Sequence, residues 1–250
     1  KFAFKVTEEI TVKRWPSVQR YGPRGGTLNE NFLNAPLFVD RFLGPMEAIQ
    51  PKVGPIILEF GKFYSNEYSE AAEFLTDLDR FFSAVPKGWL YAVELRNRKW
   101  LGPDYVACLK KHGVAHTWNN WSDMPPVSEQ FGIVGEPPTD DLEVARFLLK
   151  PGRKYEDAVA KFKPYKVTGE INEDARSALQ MLIEKRWVRL SRNGTYIYIN
   201  NRLEGNALLT VLAVLDRIQA LQSVPRPAPI APLAPPAPPK PAQAQLDLGM

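Results

Sequence analysis

Six short strand-like runs recur along the chain, and stretches with helical spacing separate them. This alternation limits the fold more than any other feature. The runs cover 2–6 (FAFKV), 54–60 (GPIILEF), 90–96 (LYAVELR), 113–118 (GVAHTW), 143–149 (EVARFLL) and 195–201 (TYIYINN). Phe32, Phe38, Phe42 and Met46 mark one helical face, and Ala71, Phe74, Leu75, Leu78 and Phe82 another. Tyr105 to Lys111, and Ala175, Leu179, Leu182 and Ile183, give two more, and Asn206 stands as an N-cap before the apolar helix Ala207 to Leu221. Strand followed by helix, repeated, predicts an α/β protein with a parallel sheet and crossover helices. A βα barrel and an open doubly wound sheet both satisfy the pattern. No glycine fingerprint for a dinucleotide is present.

A chain of 250 residues that is 44% hydrophobic can bury a full core. The organisation reads as a folded domain over 1–223 and a tail over 224–250. Val224 to Gln243 holds nine prolines and many alanines, a composition that cannot pack a core and predicts an extended, disordered tail. A net charge of +4 is too small to imply nucleic-acid binding by itself. No apolar run approaches the roughly 18 residues of a membrane span. The single cysteine, Cys108, excludes an internal disulfide framework and fits a reducing, cytoplasmic location. The first residue is Lys1 and the chain opens directly into a strand, which leads to the expectation of a fragment whose N-terminus lies upstream.

Alternation sends successive strand residues to opposite faces. Ala92, Glu94 and Arg96 therefore share a face, as do Ile57 with Glu59 and Ala3 with Lys5. Packing such a charged face against crossover helices carries a desolvation cost, so it is placed at the mouth of a barrel interior. Arg146 and Lys150 near the fifth run, and Asn200 and Asn201 at the end of the sixth, join the same rim. Two carboxylates on neighbouring strands sit roughly 5 Å apart at Cβ, a spacing compatible with retaining glycosidases. One reading is a binding or active site with acid–base and anion-binding capacity. The other is a buried salt-bridge network that fixes strand register. The turn before Asn206 adds free backbone N–H groups, a helix dipole and the adjacent Arg202, which favour a phosphate or carboxylate.

Other chemistry finds little support. His112 sits at a helix end beside Gly113, His116 is a lone strand residue, and neither has a partner at metal-ligand spacing. No metal and no cofactor is expected; Lys5 and Arg96 would compete with magnesium for Glu59 and Glu94. Cys108 lies in an apolar helical run, as a core residue would. Trp100, Trp118 and Trp121 follow strand ends and read equally as a stacking wall or as core.

FAFKVTEEIT, VGPIILEF, YAVELRNRKWL and YIYINNRLEGNA, in this order, resemble motifs of the domain-of-unknown-function family 72, the YecE-like proteins. The resemblance spans roughly residues 1–220. It implies a TIM-type barrel of which about six of eight strands are present, the first two being absent. It also implies that Lys5, Glu94, Arg96, Trp100, Asn200 and Asn201 match recurrent family residues. Glu59 stands where many members have glutamine, and residues 165–194 read as a local insertion. The family has no established reaction.

Two functions follow. One is an enzyme acting on a phosphorylated or sugar-containing substrate. Glu94 would be its acid–base group, Lys5 and Arg96 would stabilise negative charge, and Asn200, Asn201, Trp100, Glu59 and Arg146 would bind the ligand. The other is a nucleic-acid-associated protein of DNA maintenance. For that reading Gln245-Leu246-Asp247-Leu248 resembles a peptide that binds sliding clamps, although Gly249 and Met250 replace its aromatic anchor and a chance tail end is the simpler account.

Overall fold

The computed structural model describes residues 1–188 and 194–222. The expected tail and its clamp-like Gln245–Leu248 lie outside the described residues. Six strands form one sheet in chain order: β1 (Phe2–Lys5), β2 (Val53–Phe60), β3 (Tyr91–Leu95), β4 (Ala115–Asn120), β5 (Glu143–Phe147) and β6 (Thr195–Ile199). Every neighbouring pair is parallel. An unbroken strand order with helices between is the topology of a half-barrel.

The alternation sorts side chains into two layers. Ile57, Ala92, Ala115 and Val144 pack together with Leu142 on the concave side, with Tyr196 and Tyr198 against them. The convex side of β1–β3 buries Ile56, Leu58, Phe60, Val93 and Leu95 under α3 (Ala71–Ala84) and α4 (Pro103–His112). The convex side of β4–β6 buries Trp118, Ala145 and Phe147 under α5 (Val127–Val134), α7 (Glu173–Val188) and α8 (Ala207–Gln222). The sheet curls strongly: a Cβ built at Gly54 in β2 would lie 3.1 Å from the Tyr196 ring of β6. Only a glycine lets that ring reach across the concave face.

Two expectations need correction. The fourth strand starts two residues later than the 113–118 run, because Gly113, at φ 67°, terminates α4 and Val114 N donates to Leu109 O. The strand therefore includes Asn119 and Asn120. The apolar face of Phe32, Phe38, Phe42 and Met46 is not one helix. Pro36, Gly44, Pro45 and Pro51 divide it into α2 (Ala35–Phe38), a π turn (Val39–Leu43) and a 3-10 segment (Gly44–Lys52). Short helices at α1 (Glu8–Thr11), α5 and α6 (Tyr155–Phe162) carry too few turns to show a period in sequence.

His116 points to the convex side. It is buried, with Nδ1 3.0 Å from the Tyr105 hydroxyl. Burial disfavours the imidazolium and pushes its pKa down from 6.5 to about 4. Between those values the unfolded chain binds the proton and the folded chain does not. Stability present above pH 6.5 is therefore lost as the pH falls towards about 4. Unfolding free energies from urea titrations across that window should decline, by up to roughly 1.4 kcal/mol per pH unit, and His116→Gln should flatten the decline.

Candidate functional site at the carboxyl ends of the strands

Glu59 and Glu94 stand directly opposite each other in the β2–β3 register. Both side chains reach the concave side, where three cations meet them. Arg96 donates through Nε and Nη2 to Glu94 Oε1 at 2.8 and 2.7 Å, and its Nη2 lies 3.0 Å from Glu59 Oε2. Arg146 crosses from β5 and donates from Nη1 to Glu59 Oε2 at 2.6 Å and also to Glu94 Oε2. Lys5 Nζ lies 3.7 Å from Glu59 Oε1. Glu94 is fully buried, while Lys5, with 41% of its side chain exposed, forms the outer member.

Burial alone would raise the Glu59 carboxyl, but the charges of Arg96, Arg146 and Lys5 hold it below its ordinary value. Arg146 is raised, since the two carboxylates outweigh its burial. A glycosidase pair needs one protonated acid. Glu59, held ionised, cannot supply it, and Glu94 is tied to both guanidinium groups.

Further polar groups share this face. In register, Asn119 pairs with Arg146, and Arg146 pairs with Tyr198. Tyr198 Oη, Asn119 Oδ1 and Thr117 Oγ1 are buried without a hydrogen-bond partner among the described residues. Burial pushes the Tyr198 phenol up to about 12, so it stays protonated at neutral pH. Sequence reading missed these three. Tyr198 was legible from its alternation with Tyr196, and Thr117 from its place two residues after Ala115 in the fourth run; Asn119 becomes legible once β4 is extended to residue 120.

Beyond the network a cleft of about 900 Å³ opens among the loops that follow β2, β3, β4 and β5. Arg96 lines it and so joins the buried charges to the open space. The turn after β3 adds Arg98, Lys99 and Trp100. Arg98 and Lys99 are exposed and form no ion pair among the described residues. Asn97, another residue the sequence did not flag, clamps this turn to the β2 loop. Its Oδ1 accepts from Phe63 N at 2.9 Å and its Nδ2 donates to Phe63 O at 3.1 Å.

The three tryptophans separate. Trp100 stacks on Phe63 and Phe74 at 5.6 and 5.7 Å while lining the cleft. Trp118 is core, behind the sheet against Phe131. The Trp121 ring lies 3.9 Å from the Arg96 guanidinium, a cation–π contact that fixes the arginine's plane.

The amide pair is used locally. Asn200 Oδ1 accepts from Arg202 N at 3.0 Å, and Asn201 Oδ1 accepts from Ala207 N at 2.8 Å. Neither amide hydrogen-bonds to the charged network among the described residues, and their Nδ2 groups are left as donors. Asn206 caps α8 as expected, accepting from Leu209 N at 3.0 Å. Among the described residues no group of three or more His, Cys, Asp or Glu side chains could hold a metal, and no helix is long and apolar enough to cross a membrane. His112, the last residue of α4, places its Nε2 2.7 Å from Asp79 Oδ1. Burial raises the Cys108 thiol.

A family model described as protein of unknown function DUF72 matches residues 1–234. The chain belongs to the DUF72 family. A crystal structure of a DUF72 protein from Enterococcus faecalis V583 superposes with a TM-score of 0.51 at 16% identity, covering 72% of this chain and 65% of that one. A second, from Thermotoga maritima MSB8, gives a TM-score of 0.46 at 18% identity, with 72% and 64% covered. The chain thus spans somewhat under two thirds of the length of these solved DUF72 structures. Comparison with functionally curated proteins gave no match. At such identity the first superposition shows the shared fold alone, and the chemistry has to be read from this chain's own residues.

Proposed function

We propose that this protein is an enzyme acting on a small phosphorylated or sugar-containing substrate, bound in the cleft at the carboxyl ends of β2–β5. One observation carries the reading: Arg96 is at once a member of the buried network and part of the cleft wall. Arg98 and Lys99 offer positive charge with no carboxylate paired to it among the described residues, and Trp100 offers an aromatic surface for a sugar ring. Negative charge on the substrate is met by Arg96, while Lys5 adds positive charge behind it through Glu59. Glu94, paired with Arg96 and Arg146 behind the cleft wall, is the acid–base group of this reading, uncovered as the bound anion draws the Arg96 Nη groups towards itself. Glu59 and Arg146 hold that arrangement in place, and Asn200 and Asn201 after β6 stand outside the cleft wall.

Calorimetric titration with a panel of phosphorylated pentoses and hexoses tests the reading. Arg98→Ala with Lys99→Ala should weaken binding about tenfold, roughly 1.4 kcal/mol, while the melting temperature stays put because both side chains are exposed. Unchanged affinity in the double variant defeats the proposal. A single-stranded oligonucleotide that bound the same cleft more tightly than any sugar phosphate would favour the DNA-maintenance reading instead.

A further inference from the structure

A second cationic cluster lies outside the network just described. Lys150 and Arg153 come from the loop after β5, and Lys161 comes from α6. All three converge on one carboxylate, Glu170. Lys150 Nζ donates to Oε1 at 2.9 Å, Arg153 Nη2 to Oε1 and Oε2 at 2.7 and 2.8 Å, and Lys161 Nζ to Oε2. Three cations around one carboxylate leave a local excess of positive charge. Arg153 Nη1 is buried and has no hydrogen-bond partner among the described residues. Arg153 is also seated over the Phe162 ring at 5.1 Å, so its guanidinium is held in position without Glu170.

The anchoring of Glu170 is equally informative. Its backbone is fixed, because Gly169 N and Glu170 N both donate to Glu204 O, at 2.7 and 3.1 Å. Only its side chain would have to turn away to clear the cations. Pro151 and Gly152, between Lys150 and Arg153, line the same 900 Å³ cleft as Arg96.

We propose that Lys150, Arg153 and Lys161 form a phosphate-monoester site in which the Glu170 carboxylate is a resident, displaceable stand-in for the ligand's phosphate. A phosphate brings more charge and a third oxygen, enough to engage the donor that Glu170 leaves unpaired. An attached carboxylate competes as an intramolecular ligand at high effective concentration, so the wild-type site binds free phosphate weakly. None of these four residues belongs to the Arg96 network, so the proposal stands or falls separately from the function proposed above.

The test is calorimetric titration of the full chain with inorganic phosphate at constant ionic strength. Glu170→Gln should bind about tenfold more tightly than wild type, and adding Lys150→Gln and Lys161→Gln, both half-exposed positions, should erase the gain. Equal affinity in Glu170→Gln and wild type overturns the proposal, as does a gain that survives loss of both lysines. If Glu170→Gln lowers the melting temperature, inorganic phosphate should restore it in that variant but not in the triple variant. Melting that phosphate fails to reverse identifies a purely structural ion cluster and overturns the proposal.

Discussion

Arg146→Ala is expected to destabilise the folded chain by about 3–5 kcal/mol, the cost of stripping one member from a buried ion network. Arg146 is the only described residue that spans from β5 to both carboxylates on β2 and β3. Without it Glu59 and Glu94 face each other in register with less counter-charge. The effect should depend on pH. Glu59 has a folded pKa held below 4.5, so its contribution is present above 4.5 and is lost as the pH falls through the lowered folded value. Removing Arg146 moves that folded value upward, so acid unfolding should begin at higher pH. Arg146→Lys keeps the charge but not the planar fork, and should lie between the two. Urea denaturation of the three proteins from pH 7 to pH 3 measures all of this.

Glu204→Ala should cost a similar amount, about 3–5 kcal/mol, for a different reason. Glu204 is fully buried and ties the segment between β5 and β6 to the turn after β6. Its Oε1 accepts from Asn172 N at 2.6 Å and from Arg176 Nε at 2.9 Å, while Oε2 accepts from Arg176 Nη2 and Thr210 Oγ1, both at 2.8 Å. Alanine would strand a nearly buried guanidinium and a backbone N–H. Its neighbour Gly205 shows how closely the two segments meet. At φ 114°, a Cβ there would lie 2.5 Å from Val167 O. Beyond the loss in urea stability, amide exchange at Gly169, Glu170 and Asn172 should accelerate.

The strands were legible because parallel β-runs buried on the convex side carry their period locally. All six appear where alternation placed them, β4 shifted by its glycine cap. The meeting of Lys5, Glu59, Glu94 and Arg96 was legible for the same reason, since facing and order together predict register. Arg146 joined them because it too alternates inward. What the sequence hid is non-local. Glu204 stands in a turn between Leu203 and Gly205 and finds Arg176 across 28 residues, a pairing no period announces. Glu170 gathers three cations from two elements in the same way. Asn200 and Asn201 show the converse: paired amides drew attention as ligand donors, yet their oxygens close a turn and its following helix.

Whether a small anionic substrate binds in the cleft above Arg96 decides the proposed function. The most direct measurement is a co-crystal structure of the protein with a saturating phosphorylated sugar. Phosphate density is expected within hydrogen-bond reach of Arg96, Arg98 or Lys99, with the sugar ring against Trp100. An empty cleft with the Arg96–Glu94 pairing unaltered at saturation, whether or not a ligand is bound elsewhere on the molecule, would overturn the proposed function.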